Sequence, residues 1–355
     1  VEEQKKTRAK NYVWFIGIDI SKETLDFALT KENEFQRHDR IANLPDVIRG
    51  YLTEVKKTHR LQIARTIFCM ENTGVYGNHL VRVLEKMKAN IVVEPAVHII
   101  RRLGIVRGKD DMVDAKRIAE YAHKYRKTLK FRRPRRPVIE RLAQLNTLRT
   151  RLLAYHRALA MPVKEEALFI RKSLSQQNLR LCESSLKSLK QDVAAVDGEI
   201  LTLIKTDEAL KHLFDIIVSV RDVGPITAIH ILICTNEFLN IKNPKKFACY
   251  AGVAPFANES GLRKSKRKVS TMANKKMKAL LHTCALHSMR HCPELSTYYH
   301  QKVDVEGKAP MMVLNAIRYK IILRIFACVH QNRLYSRDYV RTTVEKLPKT
   351  IPEEV

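Results

Sequence analysis

VWFIGIDI, residues 13–20, is apolar at nearly every position yet holds a carboxylate, Asp19, one place from its end. A short run rich in β-branched and aromatic residues reads as a strand buried on both faces. Such a strand needs helices layered on either side, and the following sequence supplies them. Residues 25–30 and 35–41 read as two more strands around the polar turn Lys31-Glu32-Asn33-Glu34, a meander. Then come helical periodicity over 44–58, a short strand over 66–71 (TIFCME), helical spacing over 75–87, a strand over 91–94 and a helix over 112–121. Three strands followed by alternating helices and strands predict an α/β domain over residues 1–125.

Outward from that domain the pattern changes. Residues 124–136, KYRKTLKFRRPRR, hold eight basic side chains with Pro134 inside and Pro137 after them. Like-charge repulsion and two prolines disfavour a regular helix, so a basic linker is expected over 126–137. Leu142, Leu145, Leu148, Leu152, Tyr155 and Leu159 then recur at helical steps. After Pro162, residues Leu186, Leu189, Val193, Val196, Ile200 and Leu203 alternate by three and four, a heptad seam. A helical coiled-coil region is expected over 138–205, either an intramolecular hairpin or an oligomerising coiled coil. Residues 206–355 read as a mainly helical C-terminal domain.

Composition narrows the partners. In 355 residues, 65 Lys and Arg stand against 37 Asp and Glu, a net charge of +28. A fold gains nothing from that excess, which costs self-repulsion unless a polyanion compensates it; nucleic acid is the commonest one. No apolar stretch approaches the ~18 residues of a spanning helix, which argues against a membrane partner, and the basic start of the chain does not read as a signal peptide. The seven cysteines are scattered without a C-x-x-C pair, as in a reducing cytoplasm.

The chemistry-bearing residues of the first domain are acidic. Asp19 lies in an apolar strand, Glu71 ends another, and Asp111 and Asp114 share one helical face at a helix start. Carboxylates beside apolar strands are costly unless a cation compensates them. Converged, the four would form a hard oxygen cage suited to Mg²⁺ and phosphate chemistry. The alternative is separate neutralisation by lysines and arginines, with Asp111 and Asp114 serving only the helix dipole.

Three segments, GIDISKETLDFAL (17–29), MENTGVYG (70–77) and RGKDDMVDAKRIAEYA (107–122), resemble the DEDD domain of one insertion-sequence transposase group. That group includes the Piv-type DNA invertases and the bridge-RNA-guided recombinases. Residues 216–231 (IIVSVRDVGPITAIHI) resemble its helix-hairpin-helix segment, and 246–261 (KFACYAGVAPFANESG) the stretch leading to its serine nucleophile. Residues 269–281 (VSTMANKKMKALL) match an element further on. The resemblance implies a RuvC/RNase H-like N-terminal domain whose four acids fall on Asp19, Glu71, Asp111 and Asp114, with Asp110 a register competitor for Asp111. It implies Ser260 as nucleophile, with Ser265 and Ser270 as local competitors, and a covalent phosphoserine intermediate. It also implies a structured noncoding guide RNA, donor and target double-stranded DNA, and a homo-oligomer, dimer or tetramer.

Basic residues near these sites are expected to grip phosphates: Lys109; Arg126, Lys127, Lys130, Arg132, Arg133, Arg135 and Arg136 in the linker; Arg263, Lys264, Lys266, Arg267, Lys268, Lys275 and Lys276 after Ser260. The usual alternative is a solvated face. One departure from the family stands out. Asp222 occupies a place where glycine is common, and a carboxylate there repels phosphate, so the hairpin is either structural or holds phosphate elsewhere. His287 and His291, beside Cys284 and Cys292, mimic zinc spacing but lie in a helical pattern and read as packing. Two further functions compete with the recombinase: a metal-dependent junction nuclease that uses water, and a non-catalytic nucleic-acid-binding scaffold.

Overall fold

A computed structural model of the chain describes residues 11–104, 110–260 and 263–336, leaving the side chains of 257–260 and 263–267 outside the description. The chain divides between Pro134 and Arg135 into two compact units.

The first unit is built on β1 (Trp14–Ile20), β2 (Thr24–Lys31) and β3 (Glu34–Ala42), followed by α1 (Pro45–Thr58), β4 (Thr66–Glu71), α2 (Asn78–Lys86), β5 (Asn90–Glu94), α3 (Ala96–Leu103) and α4 (Asp111–Tyr125). The sheet order is β3-β2-β1-β4-β5. The meander strands pair antiparallel, whereas β1, β4 and β5 run parallel. Alternation assigns the faces. Ile16, Ile18 and Ile20 of β1 pack with Ile48, Leu52, Leu80 and Leu84 of α1 and α2. Phe15 packs on the opposite face with Ile99 of α3 and with Ile118 and Tyr121 of α4.

Gly17 shares the face of Phe15, and it lets α4 settle onto β1. A methyl group there would overlap the carbonyl oxygen of Ala115 and the amide nitrogen of Ala119. Ala28, Ala115 and Ala119 complete this close approach. Small residues on both sides thus bring the start of α4 down to the level of Asp19.

The second unit is largely helical: α5 (Pro137–Glu166), α6 (Lys172–Thr206), α7 (Glu208–Ser219), α8 (Pro225–Thr235), α9 (Pro244–Tyr250), a two-stranded ribbon of β6 (Pro255–Ser260) and β7 (Arg263–Val269), α10 (Lys275–His291), α11 (Pro293–His300) and α12 (Pro310–His330). Its core gathers Ile139, Leu142 and Leu145 of α5, Val196, Ile200 and Ile204 of α6, and Ile317, Ile321 and Ile325 of α12. Helices α5 and α6 form an intramolecular hairpin. Val196 and Ile200 of the heptad seam are buried, while Leu186, Leu189, Val193 and Leu203 are half-buried.

Two features differ from the expectation: helix α3 is additional, and a ribbon interrupts the C-terminal helices. Pro162 lies inside α5.

Candidate active site

Strand register assembles one row of polar residues across the first unit's sheet. Arg40 of β3 pairs with Asp26 of β2, and Asp26 pairs with Asp19 of β1. Glu71 of β4 lies one step beyond the Ile18–Met70 pair and is matched with Glu94 of β5. Because side chains alternate, Asp19 and Glu71 share the face of Phe15 and Cys69, which α4 covers. The first turn of α4 adds Asp111 and Asp114, three residues apart and so on one side of the helix. All four predicted acids are half-buried on this face.

Asp110, the register competitor of Asp111, caps the helix. Its carboxylate accepts the Met112 backbone N–H at 3.0 Å, the N-cap of α4. Asp111 instead accepts from Arg40 Nη2 at 2.7 Å. Neither Asp26 nor Arg40 was singled out by the sequence reading, although an aspartate alternating with apolar residues in TLDFALT was an available signal.

Charge is left uncompensated at the centre. Burial holds the Asp19 carboxyl above its ordinary range, and the charges of Asp111, Asp114 and Asp26 push it further, against a backbone hydrogen bond from Ile20. Burial likewise raises Glu71, with Asp19 and Asp114 adding to it. Among the described residues no salt bridge joins Asp19, Glu71 or Asp114 to a base. Nor do three His, Cys, Asp or Glu side chains among them stand close enough to hold one ion. Hard oxygen donors that raise one another's proton affinity and lack a basic partner fit a divalent cation.

The remaining predicted residues divide by environment. Lys109 lies outside the described residues, as do the side chains of Ser260, Arg263, Lys264, Ser265, Lys266 and Arg267. The backbone of Ser260 closes β6 opposite Arg263. Lys127, Lys130, Arg133, Arg135, Lys268 and Lys275 are exposed. Arg126 donates to the His123 carbonyl, and Arg132 forms an ion pair with Glu85. Arg136 bridges Asp207 and Glu237. Lys276 donates to the Thr150 hydroxyl, and burial lowers its ammonium group's pKa.

Asp222 adopts the left-handed conformation, φ 68°, between α7 and α8. Its carboxylate turns inward, with 5% of the side chain exposed, and accepts from His287 Nδ1 at 2.8 Å. The ring of His287 packs 4.3 Å from that of His291. These histidines therefore serve an Asp–His pair and a ring contact.

The chain is similar in sequence to known transposases and a DNA-inverting protein. A DEDD transposase model matches residues 16–162, and a model described as Transposase IS116/IS110/IS902 family matches residues 215–300. A pilin gene-inverting protein from Moraxella bovis is 25% identical over 329 residues, covering 91% of this chain and 98% of that protein. Its counterpart from Moraxella lacunata matches to the same extent.

Proposed function

From the premise that the chain belongs to the IS110-type DEDD transposases, enzymes that cut and transfer DNA strands and depend on a divalent metal, we propose an RNA-guided recombinase that works through a covalent phosphoserine. The observation that carries this reading is the face on which Asp19, Glu71, Asp111 and Asp114 gather without a basic partner for three of them. The sheet order, with three antiparallel strands followed by two parallel ones, supports a RuvC/RNase H-like first unit. The inversion of a pilin gene, named for the Moraxella relatives, supports recombination as the outcome.

Asp19, Glu71, Asp111 and Asp114 would hold Mg²⁺, which when bound supplies Lewis-acid stabilisation of charge on a phosphodiester. The carboxylates orient that group; they carry no nucleophile themselves. Ser260 Oγ attacks phosphorus, an O–P bond forms, and the P–O3′ bond breaks. The serine proton ends on the leaving oxygen, giving a free 3′ hydroxyl and a phosphoserine. Attack by a 3′ hydroxyl of another strand reverses the step and joins the exchanged ends. A guide RNA pairing with donor and target would read sequence, leaving the protein to bind backbones through exposed bases such as Lys127, Lys130, Arg135, Lys268 and Lys275, a division of labour like that of other guided systems. Strand exchange requires at least two centres. Exposed Met161, Leu168, Phe169 and Leu181 around the α5–α6 bend support assembly through these helices.

Denaturing electrophoresis of the reaction with Mg²⁺ tests the reading. A protein–DNA adduct is expected for the wild type and for Ser265→Ala, with none for Ser260→Ala or Asp19→Asn. Cleavage that persists in Ser260→Ala without any adduct would replace this mechanism with hydrolysis by water.

A further inference from the structure

Arg40 binds two aspartates through unequal ends. Its Nε donates to Asp26 at 2.9 and 3.1 Å. Asp26 is 3% exposed at its side chain and also meets His38 Nε2 at 2.9 Å. At the other end Nη2 donates to Asp111 at 2.7 Å, between side chains that are 52% and 42% exposed.

The two contacts have different resistance to exchange. Leaving a buried carboxylate without its arginine is strongly unfavourable, whereas an exposed ion pair contributes little to stability. The guanidinium therefore remains on Asp26 and can release Asp111. A cation entering beside Asp19, Glu71 and Asp114 would attract the same Asp111 oxygen that Arg40 now holds.

We propose that Arg40 is a positioning residue that keeps Asp111 as a reserved ligand, so that a divalent cation gains its fourth carboxylate only by displacing the Nη2 end. This rests on the reading that the four acids hold the cation. The anchor on Asp26 gives the exchange a defined pivot: the arginine stays on the site face while Asp111 changes partner. A lysine drawn to the buried Asp26 would lack the fork that also reaches Asp111.

Calorimetric titration of the full chain with Mn²⁺, without nucleic acid, tests the exchange. Arg40→Gln is expected to bind Mn²⁺ about two- to fivefold more tightly than wild type, the fold-change matching loss of one exposed pair. In an Asp111→Asn background the same substitution is expected to give no gain, because there is no carboxylate left to release. Equal tightening in both backgrounds would reduce Arg40 to a bulk charge and overturn the proposal; so would unchanged affinity in Arg40→Gln. If Arg40→Gln fails to fold because Asp26 is stranded, Arg40→Lys keeps a cation on Asp26 and is expected to show the same gain over wild type, with unchanged affinity overturning the proposal. Asp19→Asn separates the two readings. Mn²⁺ binding unaffected by it would defeat the acidic site itself, whereas binding abolished by it but indifferent to Arg40 would defeat only the exchange.

Discussion

Burial at single residues sets how the second unit responds to acid. His230 of α8 is buried, and its Nε2 accepts from Asn146 Nδ2 at 3.2 Å, a contact that requires the neutral ring. Burial, with Lys276 and Arg149 nearby, pushes its pKa down to about 4. A histidine depressed in the fold is neutral there and charged in the unfolded chain below its ordinary value of ~6.5. Its contribution is therefore complete above that value and declines as pH falls towards 4. His230→Gln keeps an acceptor for Asn146 and removes the titration. The melting temperature of the variant is expected to lie below wild type at pH 7, with the gap closing steadily as the buffer is taken to pH 4.5; a gap independent of pH would show that the ring takes up its proton as readily in the fold as in the unfolded chain. The Asp26–Arg40 pair illustrates a different limit, that of legibility. Counting back from the β2–β3 turn without interruption would place Asp26 opposite Asp39. A register shift at Leu29/Thr30 moves Arg40 there instead, and a bulge leaves no mark in composition. Asp19 and Glu71 needed no such detail, because each stands in or at the end of an apolar run, whereas Asp111 and Asp114 were placed by their spacing and by the family resemblance.

Among the elements, those with their own periodicity were legible in the sequence and those made by partnership were not. Strands β1, β4 and β5 read as short apolar runs, and the acidic start of α4 as a helix beginning. Strand β7 reads RKSKRKV, which carries no alternation of apolar residues; its only strand-forming influence is pairing with β6, a non-local effect. Helix α5 runs through Pro162, which cannot donate the backbone hydrogen bond of its turn. The basic linker likewise changes meaning at its end. Arg136 sits at the N-cap of α5 and ties the α6–α7 junction at Asp207 to Glu237 after α8. Asp207 also caps α7 through the Leu210 N–H at 2.8 Å, and the arginine contact, then the cap, lowers its pKa. A depressed carboxylate stabilises above its ordinary range and stops doing so as pH falls below it. Asp207→Asn keeps a capping oxygen but loses the charge facing Arg136, and is expected to cost ~1 kcal/mol at pH 7 by denaturant unfolding, and progressively less towards pH 3. Arg136→Gln is expected to cost more, ~1–3 kcal/mol, because Glu237 has a side chain only 8% exposed and loses its guanidinium. The reverse ranking would mean that Glu237 does not depend on the guanidinium.

For the whole molecule, a charge of +28 favours a polyanionic partner, and among the described residues no helix is long and apolar enough to cross a membrane. The same chain divides its proposed chemistry between units, with the four acids in residues 1–134 and Ser260 in 135–355. An enzyme that must act on two DNA partners at once can complete each centre with the acids of one subunit and the serine of another, so that neither subunit cuts before assembly. Mixing two defective chains distinguishes this from a centre made within one chain. Asp19→Asn retains the hydroxyl and Ser260→Ala retains the acids, so each alone is expected to give no adduct with DNA. If the centre is shared, an equimolar mixture contains pairs in which intact acids face an intact serine, and an adduct appears on the Asp19→Asn chain, identifiable by a size tag. If each subunit builds its own centre, every centre in the mixture lacks one component and the gel stays blank. The expected result is the tagged adduct, accompanied by none on the Ser260→Ala chain. That asymmetry also guards against leakage, since residual activity of a damaged acid set would appear in the unmixed control.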